Sequence, residues 1–204
     1  DRDWSSDVCS SDLHGVESMI KSKLYLYELS PYDETLLLDV DYVVNSNKLL
    51  KAFDLCIDLV CHGNTEFLMQ PKLPQEYLSS YSYKTLWATV IVFKKTNKAK
   101  QIFECLEMVQ KNYDHYANIH NFISITYRND YALTLALNIV NGHLIDKQDY
   151  IPWNLIHADK KVKVYKNTNN EFNTEYTILD QNKYIIVKDC DFHMMDKVNF
   201  MELI

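Results

Sequence analysis

The spacing of apolar residues changes along the chain, and each change marks an element. Val16, Met19, Ile20, Leu24 and Tyr27, with Lys23 among them, recur at helical spacing and predict an amphipathic helix over 16–29, ended by Ser30-Pro31-Tyr32-Asp33. Residues 35–44 (TLLLDVDYVV) are rich in β-formers and open with an unbroken apolar run. That is the pattern of a strand covered on both faces, as in a parallel or mixed α/β sheet. A short helix is predicted over 47–54. A second strand follows over 55–61 (LCIDLVC) and stops at His62-Gly63-Asn64. Residues 63–85, with Pro71, Pro74 and a run of Tyr and Ser, read as loop.

Residues 87–93 (WATVIVF) predict a third buried strand. Ala99, Ile102, Phe103, Leu106, Val109 and Tyr113 then mark a long helix. Asn129 is the expected N-cap of a helix over 130–140, which Asn141-Gly142 ends. Beyond it, 161–165, 175–179 and 184–187 are short strands between Asn-rich turns. Strands and helices alternate first and strands dominate later. No repeat or linker divides them. The expected fold class is α/β, a mixed sheet flanked by helices.

Composition narrows the function classes. The chain has 204 residues, 47% of them hydrophobic, with a formal net charge of −7. It is too apolar for disorder and long enough for a sizeable core. Its acidic balance argues against wrapping a nucleic acid. No apolar run approaches the roughly 18 residues of a membrane span, so a soluble, cytoplasmic protein with no transmembrane segment is expected.

Residues 3–13 (DWSSDVCSSDL) match a common sequencing-library adapter translated in frame. Residues 1–13 are therefore expected to be a non-native leader, as in a metagenomic fragment. Residues 14–204 would then be a single domain, a fragment of a protein that continued upstream. Of the remaining thiols, Cys56, Cys61, Cys105 and Cys190, none forms a C-x-x-C or a zinc-finger spacing. Buried, reduced cysteines are the expectation.

The feature with most chemical content is Leu36-Leu37-Leu38-Asp39-Val40-Asp41. Carboxylates at i and i+2 of an extended chain project to one side, and here they follow an apolar strand, where open α/β sheets bind ligands. Two hard oxygen donors suit Mg²⁺ or Mn²⁺, particularly with a diphosphate supplying further oxygens. The plainer alternative is the polar start of a loop, although two carboxylates inside LLL…VV are costly to bury unpartnered. His193, after the last strand, is a good third ligand as a neutral imidazole, or an ordinary loop residue. Lys197 can meet phosphate or be a solvated lysine. Lys23 can reach the carboxylates or a phosphate, or be a surface charge. Asp130 sits where a helix dipole favours an acid, whatever else it does. Trp87, Trp153, Tyr77, Tyr81 and Tyr83 can stack on sugar rings or simply pack.

The segment LSPYDETLLLDVDYVV resembles the D-x-D segment of GT-A-type glycosyltransferases, in the style of glycosyltransferase family 8 and its uncharacterised relatives. Further along, Trp87-Ala88-Thr89-Val90-Ile91-Val92-Phe93 resembles the family strand that usually reads Asn-(Ser/Ala)-Gly-Val-Met. Arg128-Asn129-Asp130-Tyr131-Ala132-Leu133 resembles an Asp-Gln-x-Ala-Leu helix start. Phe192-His193-Met194-Met195-Asp196-Lys197 resembles the C-terminal His…Lys segment. The set spans most of 16–197. It departs from the family at Trp87-Ala88-Thr89, which lacks the Asn and Gly, and after His193, where the Gly-x-x-Lys-Pro-Trp form is missing.

The resemblance implies a GT-A-like, Rossmann-like fold without its nucleotide-base strands. It implies transfer of a sugar from a nucleotide-diphosphate donor, UDP-sugar first, to a glycan or small-molecule acceptor. Mn²⁺ or Mg²⁺ would sit on Asp39, Asp41 and His193, Lys197 and Lys23 would meet the diphosphate, and Asp130 would act on the sugar. The shortened chain need not itself be active. A competing reading is a haloacid-dehalogenase-type phosphatase, with Asp39 as nucleophile, Asp41 as acid/base, and Lys188-Asp189-Cys190-Asp191 supplying the distal charges. A third is a folded fragment without catalysis.

Overall fold

The computed structural model describes residues 23–68, 77–122, 126–144, 150–158, 162–168, 171–178 and 181–194. The leader and the first seven residues of the expected first helix lie outside them. A 3-10 turn, Lys23–Tyr25, leads into α1 (Leu26–Leu29). Then come β1 (Glu34–Leu38), β2 (Tyr42–Val43), α2 (Lys48–Leu55), β3 (Leu59–His62), β4 (Thr65–Phe67) and β5 (Trp87–Lys94). Three helices follow: α3 (Asn97–Lys111), α4 (Tyr113–His120) and α5 (Asn129–Val140). The remaining strands are β6 (Tyr150–Ile151), β7 (Leu155–Ala158), β8 (Lys163–Thr168), β9 (Glu171–Ile178), β10 (Gln181–Lys188) and β11 (Phe192–Met194).

The main sheet has the order β1-β5-β3-β6. β5 runs antiparallel to both β1 and β3, and β6 is parallel to β3, so the sheet is mixed. Because side chains alternate along a strand, β5 serves two cores. Ile91 and Phe93 pack with Ile102, Phe103 and Leu106 of α3 and with Leu133 and Leu137 of α5. Val90 and Val92 pack with Leu49, Ala52 and Phe53 of α2. The chain is thus α/β with helices on both faces of a mixed sheet.

A second sheet, β2-β11-β7-β4, joins short segments from distant parts of the chain. A third, the antiparallel meander β10-β9-β8, packs Val164, Phe172 and Val187 against Phe192 and Met194 of β11.

Four expectations need correction. Residues 63–85, read as loop, include the strand β4 at Thr65–Phe67, which pairs with β7. Residues 35–44 form two strands in two sheets, not one. β1 stands first in its sheet order and is only part-buried, whereas β5 is the strand covered on both faces. The polar pair at 39 and 41 turns the chain because carboxylates cannot continue inside the apolar layer. The second strand starts at Leu59, since Leu55 still belongs to α2 and the Cys56 amide donates to the Ala52 carbonyl. Asn129 is the first residue of α5 rather than its cap, and its buried Oδ1 has no hydrogen-bond partner among the described residues. A side-chain cap does occur on α3, where Thr96 Oγ1 accepts from the Ala99 amide at 3.1 Å. Cys56, Cys61, Cys105 and Cys190 are all free, the first three buried.

Candidate metal centre

The site begins where β1 leaves the main sheet. The Asp39 amide donates to the Thr89 carbonyl of β5 at 3.0 Å, and the Tyr42 amide then donates back to the Asp39 carbonyl at 3.0 Å. That bond closes a β-turn over 39–42, with Val40 exposed and Asp41 buried. The two carboxylates therefore meet across a turn, not on one side of an extended strand as their spacing suggested.

The next two residues, β2, enter the second sheet beside β11, with Tyr42 opposite His193 and Val43 opposite Phe192. The Met194 amide donates to the Asp41 carbonyl at 2.8 Å. Backbone pairing thus brings His193, 152 positions later, to Asp41: its Nε2 lies 3.1 Å from Asp41 Oδ1. One ligand atom each from Asp39, Asp41 and His193 lies within 4.8 Å of the other two. Two ligands facing each other across a cation at about 2.1 Å would be about 4.2 Å apart, so a small closure would let the three share one ion. Two carboxylates and an imidazole suit Mn²⁺ and, with less use of the nitrogen, Mg²⁺.

Lys23 is not a surface charge. Its side chain is 14% exposed, and its ammonium donates to Asp39 Oδ1 and, at 2.7 Å, to the Ala88 carbonyl. A cation entering the site must share Asp39 with this ammonium or displace it. The same residue of β5 connects to Asp130: the Ala88 amide donates to Asp130 Oδ1 at 2.8 Å, and Arg128 Nη2 binds Asp130 Oδ2 at 3.0 Å. Asp130 is therefore tied to the strand that holds the Asp39 turn, with both carboxylate oxygens occupied. The guanidinium of Arg128, itself stacked on Tyr131, is a partner the sequence reading did not assign.

Behind His193 lies a second imidazole that was also missed. His157 stands opposite His193 in the parallel β7–β11 pair, with Nδ1 2.9 Å from His193 Nδ1. Burial pulls its pKa down to about 3, the neighbouring His193 and His62 add to the fall, and Asp41 opposes it. His62 at the end of β3 is equally buried. Burial pulls it down to about 4, against its bond to the Trp153 carbonyl at 3.0 Å. Both rings are neutral at pH 7. Burial, reinforced by Asp191, pushes the Tyr42 hydroxyl pKa up.

Other expected residues are placed differently or fall outside view. Lys197 lies outside the described residues. Lys188 pairs with Glu171 at 3.1 Å, and Asp191 accepts from the Asn45 amide at 2.7 Å. Trp87 packs on the His157 ring, and Trp153 lies against the α2 core. Tyr83 bonds His143 and packs against it, while Tyr77 and Tyr81 face solvent. Comparison of the chain with protein-family models, curated proteins and solved structures finds no match.

Proposed function

We propose that this chain is a metal-dependent GT-A-type glycosyltransferase domain that uses a nucleotide-diphosphate sugar, UDP-sugar first, and a glycan or small-molecule acceptor. The observation supporting this reading is the convergence of Asp39, Asp41 and His193 at the point where the chain passes from the main sheet into the second sheet. A divalent cation bound there supplies positive charge for a leaving diphosphate. Asp39 and Asp41 hold it by charge, and His193 by a neutral nitrogen. Lys23, which donates to Asp39 Oδ1, would be the residue to meet a phosphate oxygen if a cation held that carboxylate. Asp130, next to β5, would orient the sugar, its carboxylate held by the Ala88 amide and the Arg128 guanidinium.

The phosphatase reading has less support, because Lys188 and Asp191, the distal groups it would call on, bond Glu171 and Asn45. We place the protein in the cytoplasm, where thiols without disulfide partners persist; no described helix is long and apolar enough to cross a membrane.

Calorimetric titration of UDP and GDP, with and without millimolar Mn²⁺, tests the reading. Nucleotide binding that requires the cation and is lost in Asp41→Asn is expected. No binding of either nucleotide in Mn²⁺ would overturn it.

A further inference from the structure

The imidazole behind His193 has a role that the three ligands alone do not provide. We propose that His157 is a positioning residue: it accepts a proton-bearing Nδ1 of His193 and so leaves Nε2 of His193 as a bare lone pair for the cation. This rests on the metal reading above.

The parallel register of β7 and β11 sets His157 opposite His193, and the rings meet edge to face with centroids 5.0 Å apart. His157 is 1% exposed and is wedged against Trp87 and Phe67, with ring centroids at 4.8 and 5.2 Å, so its ring has little room to turn. Two nitrogens 2.9 Å apart bond only when one of them holds a proton. That proton can sit on either ring, so the pair has two arrangements.

In the first, His157 donates from Nδ1, and His193 keeps its proton on Nε2 and gives it to Asp41 Oδ1 at 3.1 Å. Every contact is satisfied, but His193 offers no lone pair to a metal. In the second, His193 donates from Nδ1 to His157, and Nε2 is free to ligate. Passing from the first to the second moves one proton from His157 Nδ1 to His193 Nδ1. Another leaves His193 Nε2 for water, and a third is taken up from water at His157 Nε2. One proton leaves the pair and one enters it, so the exchange with water balances.

His157 Nε2 is buried with no hydrogen-bond partner among the described residues, and so is Nε2 of His62. The Trp153 carbonyl can only accept, which fixes the His62 proton on Nδ1 and leaves its Nε2 a lone pair. In the metal-ready arrangement these two orphaned atoms are therefore a donor and an acceptor.

The test compares the wild type with His157→Phe, which keeps an aromatic ring but cannot accept, and with His157→Gln, whose amide oxygen can. Mn²⁺ affinity is read from the free-ion EPR signal, and folding from circular dichroism. Phe is expected to weaken Mn²⁺ about 10–100-fold, the loss typical of removing a partner behind a metal ligand, and Gln to recover most of it. Long-range ¹H–¹⁵N spectra of the wild type, with Zn²⁺ as a diamagnetic probe, should show the His193 proton move from Nε2 to Nδ1. Unchanged affinity in His157→Phe, a Gln variant as weak as Phe, or a His193 that keeps its Nε2 proton with Zn²⁺ bound would each overturn the inference alone. A wild type with no Mn²⁺ affinity would overturn the metal reading with it.

Discussion

In the main sheet, β5 is eight residues long, is paired on both sides, and buries six consecutive side chains. In the sheet β2-β11-β7-β4 no strand exceeds four residues, and Asp41, His157 and Asp191 are buried within or beside it. The first sheet gains its stability from apolar area given up to two helical layers. The second cannot do so at that strand length. It holds its register through contacts such as the Met194 amide on Asp41, and through the meander packed against Phe192 and Met194. The comparison teaches a division of labour. One sheet supplies free energy, and the other spends part of it keeping polar groups in a fixed constellation.

The largest expected effect tests the first half of that division. Phe93 is fully buried and meets Phe103 edge to face at 5.0 Å. Phe93→Ala should cost about 3–5 kcal/mol in urea denaturation. A loss below about 1 kcal/mol would mean that stability resides elsewhere.

Acid should probe the second half. His62 and His157 titrate near 4 and 3 in the folded protein, both depressed by burial, and near 6.5 when unfolded. The unfolded chain therefore takes up protons first. Stability is fully present above about pH 6.5 and falls as pH drops below it, by about 2 kcal/mol per histidine at pH 5. Urea midpoints measured from pH 7.5 to 5 should show the fall, and His62→Gln should remove its share. A profile unaltered by that substitution would contradict the assignment.

Lys23→Met should cost about 1–2 kcal/mol, because Asp39 loses an ammonium partner in a poorly hydrated place. Saturating Mn²⁺ should narrow the gap to the wild type, since a cation then replaces the ammonium. A substitution without cost would return Lys23 to the solvated surface. At the bottom of the scale, Lys111→Ala breaks an exposed pair with Glu107 on α3 and should change stability by no more than about 0.5 kcal/mol.

How much of this could be read in advance follows from the physics of each element. The β5 run and the α3 and α5 stripes show through because burial on one or both faces imposes a period on the residues themselves. Asp39 and Asp41 were visible as charges interrupting an apolar run, but the turn that joins them was not. That turn starts where the Asp39 amide bonds the Thr89 carbonyl of another strand, a contact no local pattern shows. His193 could be read as a ligand or as an ordinary loop residue, and the family resemblance favoured the first. His157, inside LIHA, looks like any histidine in an apolar strand, and its importance comes from a parallel register that no local pattern encodes. Lys23 did carry a signal that was undervalued: it lies on the apolar stripe of 16–27, where a lysine is buried with a partner rather than solvated.

The central claim is that one divalent cation shares Asp39, Asp41 and His193. Pulsed EPR of Mn²⁺ bound to the wild type reads this directly through the ¹⁴N coupling of a ligating imidazole. The account predicts a nitrogen modulation in the wild type that disappears in His193→Phe. Mn²⁺ bound without that modulation, or a modulation that survives the substitution, would contradict it.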